Sequence, residues 1–158
     1  MNLGVNAGRC AARWWLALGL AACWLGPLGQ LGAADSGFGI PPVLQKGFNL
    51  YGSGGAEPAV LAWCEGGMLE GDNRGRELVP RLKAMTTSLG TYKGYEVVDA
   101  KWVGKSTRIL YLTMLFERGA VYGRFLLYRA PKDWVAQHVD FYTRPEAIMP
   151  WLAMESEK

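Results

Sequence analysis

Residues 94–141 read GYEVVDAKWVGKSTRILYLTMLFERGAVYGRFLLYRAPKDWVAQHVDF. Side chains of an extended chain point alternately to two faces, and this stretch holds four alternating runs. The first two are Tyr95 to Val103 and Ser106 to Glu117, the third closes at Ala130-Pro131-Lys132-Asp133, and the last is Trp134 to Tyr142. Gly104-Lys105 and Arg118-Gly119 read as two-residue hairpin loops, which take glycine because they need positive φ. Proline cannot donate to a ladder and marks the third loop. With these loops Val97 lies opposite Leu112, Glu96 opposite Thr113, Leu112 opposite Phe125 and Thr113 opposite Arg124. One face then carries Leu110, Leu112, Met114, Phe116, Val121, Phe125 and Leu127, and has to be the buried one. The other carries Glu96, Tyr111, Thr113, Tyr122, Arg124 and Tyr128.

The register of the last hairpin admits two solutions. A three-residue loop, Pro131 to Asp133, sets Phe125 opposite Val139 and Arg124 opposite Asp140, sending Val135, Val139 and Phe141 inward and His138 and Asp140 outward. A four-residue loop, Ala130 to Asp133, exchanges the faces. Burying Val139 and Phe141 is worth about 1.5–3 kcal/mol each, whereas burying His138 and Asp140 costs energy unless both find partners. The first register is therefore expected.

Upstream, helical spacing predicts a first helix over Pro42 to Tyr51, with Val43, Leu44, Phe48 and Tyr51 near one face. Gly52-Ser53-Gly54-Gly55 breaks the pattern. A second helix restarts at Glu57-Pro58, carries Val60, Leu61, Trp63, Cys64, Met68 and Leu69, and meets Gly66-Gly67. Glu70 to Arg76 reads as an exposed loop. A third helix is expected from Leu78 to Leu89, with Gly90 as its stop and Pro80 in its first turn. Helices followed by a meander give an α+β domain in which Trp63, Leu82 and Met85 press on Leu112, Met114, Phe116, Phe125 and Leu127.

The first third has a different character. Arg9 and Arg13 precede an uncharged run from Trp14 to Ala34, and small residues at Gly32 and Ala34 suit signal cleavage before Asp35. The expected organisation is a signal over 1–34, a leader over 35–40, one domain over 41–150 and a frayed tail over 151–158. Two alternatives stand beside it. The run is just long enough for an uncleaved anchor, and Leu20-Ala21-Ala22-Cys23 resembles a bacterial lipoprotein processing site with Cys23 as the lipidated residue. Membrane attachment is expected only through one of these two devices.

Cleavage before Asp35 removes two basic residues and no acidic one, so the net charge of +3 falls by two. No basic stripe remains that would argue for nucleic acid. Of the 3 cysteines only Cys64 would survive, which excludes an internal disulfide. Its place beside Trp63 reads as a small buried hydrophobe. The lone His138 has no second histidine or cysteine nearby, so no metal site is expected, and no dinucleotide or phosphate-binding fingerprint implies a cofactor.

The order of elements, with Gly94-Tyr95-Glu96-Val97-Val98, Phe116-Glu117-Arg118-Gly119-Ala120-Val121-Tyr122 and Trp134-Val135, resembles small secreted bacterial proteins of the cystatin-like, nuclear transport factor 2-like superfamily. The resemblance spans roughly Pro41 to Pro150. It implies a bent sheet wrapped around helices as a cone with a pocket at its open end. It implies no activity, because the superfamily includes isomerases, dehydratases and members without catalysis.

His138 and Asp140 share a strand face and could form an acid–base pair in a small cofactor-free lyase or isomerase. Arg124, with Glu96 or Asp140 as partner, could clamp an anion or could form a cross-strand ion pair. Arg124, Tyr95, Trp102 and Tyr111 are the candidate ligand-binding residues. The preferred reading is a non-catalytic envelope protein that binds a small apolar ligand or a protein, with a second copy of the chain among the partners considered.

Overall fold

The computed structural model describes residues 39–149 and 151. The expected signal over 1–34, its cleavage site, Cys23 and residues 152–158 lie outside the described residues. Three helices, α1 (Pro42–Gly54), α2 (Ala56–Cys64) and α3 (Asn73–Leu89), precede four strands, β1 (Tyr92–Trp102), β2 (Thr107–Phe116), β3 (Gly119–Arg129) and β4 (Trp134–Tyr142). The strands form one antiparallel sheet in the order β1-β2-β3-β4, and a short 3₁₀ turn, Pro145–Ala147, follows. The helices cover one face of the sheet, which is the α+β meander expected.

Pro41 and Pro42 open α1, where a missing N–H costs nothing. The helix runs through Gly52 and Ser53, further than composition suggested, because Ser53 Oγ donates to the carbonyls of Asn49 and Leu50 and the Gly55 N–H closes on Tyr51 O. α2 ends at Cys64, short of the glycine pair. α3 begins five residues earlier than expected, since the Asp72 carboxylate accepts from the Arg74 N–H at 2.8 Å and caps it. That earlier start leaves Pro80 inside the helix instead of in its first turn. Gly90, with φ +85°, ends the helix in a conformation that only glycine takes without strain.

The core forms where the helices meet the inner sheet face. Trp63 is fully buried, and its ring packs edge-on against Phe48 at 5.0 Å and Phe125 at 5.4 Å and lies 5.6 Å from Phe141. Its indole N–H donates to Leu44 O at 3.3 Å, which joins α2 to α1 and satisfies the one polar atom on the ring. Leu82, Leu110, Leu112, Met114, Phe125, Leu127 and Phe141 are all fully buried, Phe116 is nearly so, and Met85 packs at the edge.

All three hairpins differ from their expected loops. Between β1 and β2 the Val103 N–H closes on Thr107 O at 2.9 Å, making a three-residue loop, and an irregularity at Val98 restores the register, so that Val97 faces Leu112 and Glu96 faces Thr113 as expected. Between β2 and β3 the loop is Glu117-Arg118, and Phe116 pairs with Gly119. That register is displaced by two residues, which preserves the faces but sets Leu112 against Gly123 and Tyr111 against Arg124. A Cβ on Gly123 would lie 2.8 Å from Leu112 Cδ1 and 3.0 Å from Phe141 Cε1. The two side chains occupy the space that a larger residue would need.

The last hairpin uses both registers. At the turn Arg129 pairs with Trp134, as the four-residue loop requires, and beyond an irregularity at Gln137 the three-residue register holds, with Leu126 opposite His138, Phe125 opposite Val139 and Arg124 opposite Asp140. Ala136 therefore takes the core position assigned to Val135, which is half-buried. His138 and Asp140 lie on the outer face.

Candidate functional site

Arg124, Asp140 and His138 come together on the outer face of β3 and β4. Arg124 Nη2 donates to Asp140 Oδ2 at 2.5 Å, and His138 Nε2 lies 3.0 Å from the same oxygen. The carboxylate is largely covered at 16% exposure, while the guanidinium and imidazole stand 38% and 42% open. One oxygen thus serves a cross-strand neighbour, Arg124, and a neighbour two residues away on the same strand, His138, an arrangement that fixes side chains on an open sheet face. Glu96 does not join it. It pairs with Thr113 and then Tyr122, whereas the row through Arg124 runs Asp99, Tyr111, Arg124, Asp140.

The expected ligand-binding residues do not share a site. Tyr95 turns inward and stacks on Phe48 at 4.1 Å, where burial raises its phenol pKa. Tyr111, expected on the more exposed face, is only 6% exposed. The chain after β4 folds back over it: Ile148 and Met149 are buried with it, and the Trp151 ring meets it edge-on at 4.9 Å. Lys101 Nζ stands 3.6 Å from the centroid of that Trp151 ring. Trp151 thus belongs to the fold and not to a frayed tail. Cys64 is buried, with its thiol pKa pushed up by desolvation and then by the charges of Asp72 and Glu70, which disfavours the nucleophilic thiolate.

A concave feature among the described residues lies elsewhere. A cleft of ≈ 650 Å³ opens between the start of α1 and the β3–β4 turn, lined on one side by Pro42, Val43 and Lys46 and on the other by Ala130, Pro131, Trp134 and Val135. Its walls are mainly apolar, and an ion pair between Lys46 and Glu65 closes one side. Neither His138, Asp140 nor Arg124 lines it.

Beside the cleft stands a residue that the sequence reading passed over. Arg108 is 7% exposed, donates from Nη2 to Gly39 O at 2.7 Å, and lies 5.8 Å and 6.0 Å from the ring centroids of Trp102 and Trp134. Those two rings come from opposite edge strands and meet 5.7 Å apart, so the sheet curls toward itself at this end. Among the described residues no carboxylate pairs with Arg108, and its Nε has no hydrogen-bond partner. Burial lowers its pKa, but a guanidinium stays charged in proteins. The indole faces offset part of that desolvation. Arg108 is in phase with Leu110, Leu112 and Met114, and a charge in step with a buried row was the signal available in the sequence.

Among the described residues no group of three or more His, Cys, Asp or Glu is arranged to hold a metal ion, and no helix is long and apolar enough to cross a membrane. No protein-family model, curated protein or solved structure matches this chain.

Proposed function

We propose that this chain is an exported, non-catalytic binding protein that takes a small apolar ligand in the cleft between α1 and the β3–β4 turn. The observation that carries the reading is the division of space in the fold. The region between helices and sheet is filled by Trp63, Phe48, Phe125 and Phe141, while a ≈ 650 Å³ concavity with apolar walls lies at the turn end. That volume is within the usual range for small-molecule sites. The lyase or isomerase reading draws less support, because His138 and Asp140 stand on the open outer face with the Asp140 oxygen engaged by Arg124. A cystatin-like or nuclear transport factor 2-like ancestry agrees with helices preceding a curled meander, at the level of architecture alone.

An apolar fluorescent probe titrated into the protein is expected to bind saturably at one site. Val43→Asp and Trp134→Ala should each weaken that binding at least about tenfold, since each removes apolar contact or adds a charge to desolvate. His138→Ala should leave it unchanged. Equal binding by Val43→Asp and the parent would refute the cleft, and loss in His138→Ala alone would return the site to the outer face. Export has its own test. Mass spectrometry of the protein made in a bacterial host should give a mature start at Asp35; a lipid on Cys23 would make it a lipoprotein, and an intact Met1 chain in membranes would contradict cleavage.

A further inference from the structure

Both odd-to-even hairpins of a meander turn at the same end of the sheet, so the β1–β2 tip and the β3–β4 tip stand side by side, tied by the Arg129 N–H to Ser106 O at 2.8 Å. This end is chemically unlike the rest of the surface. Trp102 and Val103 are 59% and 60% exposed there, and Tyr128 is 39% exposed. Soluble surfaces seldom group a tryptophan and a valine on one tip without a partner. Lys105, Arg129 and Lys132 surround them, all exposed and in no ion pair among the described residues. The one acidic side chain on the two tips, Asp133, is turned back to accept from the Trp134 N–H at 2.7 Å.

We infer that this end of the folded domain docks on an anionic membrane surface, with Trp102 and Val103 entering the interfacial layer and Lys105, Arg129 and Lys132 meeting headgroup charge. The indole ring suits a layer that is apolar on one side and wet on the other. Lysine and arginine around it gain from the negative surface potential. The chain also reaches the fold at this end: Gly39 is held by Arg108, and the uncharged run from Trp14 to Ala34 precedes it. A domain tethered through that run would have its basic, aromatic end nearest the point of attachment. The contact is made by the folded domain itself; because Lys132 and Trp134, whose ring meets Trp102, also line the cleft, it is tested with no apolar probe present.

Hydroxyl-radical footprinting of the full chain, read at Trp102, separates this contact from any anchoring by the N-terminal run. With phosphatidylcholine vesicles containing phosphatidylglycerol, oxidation of Trp102 should fall as lipid is added; with phosphatidylcholine alone the midpoint should lie at much higher lipid. Lys105→Gln with Lys132→Gln should raise the midpoint on anionic vesicles about 25-fold, about five-fold for each charge. Both lysines are exposed and in no hydrogen bond or ion pair among the described residues, so the variant is expected to fold; Lys132 also lines the cleft, and Lys105→Gln alone, remote from it, should still raise the midpoint about five-fold. Trp102 oxidised equally with and without vesicles would overturn the inference, as would an unshifted midpoint in the double variant. Shielding that appears only with lipid-free envelope extract would assign the end to a protein partner instead.

Discussion

Phe125→Ala is expected to cost about 3–5 kcal/mol in unfolding free energy, because it empties a fully buried position at the centre of the aromatic cluster. Its ring is held by Trp63 at 5.4 Å, Phe141 at 5.6 Å and Phe48 at 5.9 Å, so three elements would have to shift to close the cavity. Arg124→Ala, one residue away on the opposite face, should cost about 1 kcal/mol or less. Its ion pair with Asp140 is partly open to solvent, and such pairs contribute little. Urea denaturation of both variants checks this. Equal losses would mean that the sheet has been assigned inside out.

The second large effect is at Gly47. An alanine in an exposed helix interior usually gains about 1 kcal/mol over glycine, and the change here should go the other way. A Cβ at Gly47 would stand 2.0 Å from Trp63 Nε1 and 2.2 Å from Cδ1. The indole cannot give way: it is fully buried among four aromatic rings, those of Phe48, Tyr51, Phe125 and Phe141, and its N–H is committed to Leu44 O. Overpacking of this kind costs about 1–3 kcal/mol or more, and loss of the indole bond adds about 1 kcal/mol. Set against the helix gain of about 1 kcal/mol, the net expectation is a loss of about 1–3 kcal/mol. Thermal unfolding of Gly47→Ala decides the sign, and a stabilised variant would show that α1 and α2 do not pack through this glycine. Gly47→Ala combined with Trp63→Phe should lose less than the sum of the two changes, because the smaller ring makes room.

Why the faces were legible and the loops were not follows from strand geometry. A slip of two residues leaves every side chain on its face, so the period of Leu110, Leu112, Met114 and Phe116 identified the buried side even though the β2–β3 register was displaced. Slips of one residue at the other two turns would have reversed the faces. Irregularities at Val98 and Gln137 absorb them, and neither residue carries a mark in the sequence that distinguishes it from its neighbours. Burial favoured the outward placement of His138 and Asp140, and that energetic argument gave the correct register at their end of the strand.

The candidate site was less legible because it joins distant segments. The cleft needs Pro42 and Val43 beside Trp134 and Val135, a contact that periodicity along either segment does not specify. Trp102 was singled out as an aromatic, but its partner Trp134 lies on the opposite edge strand and reaches it only because the sheet curls. Tyr111 was misplaced for a related reason. Ile148, Met149 and Trp151 return to cover it, and a short segment after a proline-bearing turn shows no strong pattern of its own.

In the proposed function, ligand enters at the turn end and not between the helices and the sheet. Isotope-labelled protein titrated with a small apolar probe tests it most directly, read through backbone, methyl and indole resonances. Shifts are expected to concentrate at Val43, Val135 and the Trp134 indole, with Phe125, Phe141 and Tyr95 unmoved. Shifts led by Phe125 and Tyr95, or by His138, would contradict it.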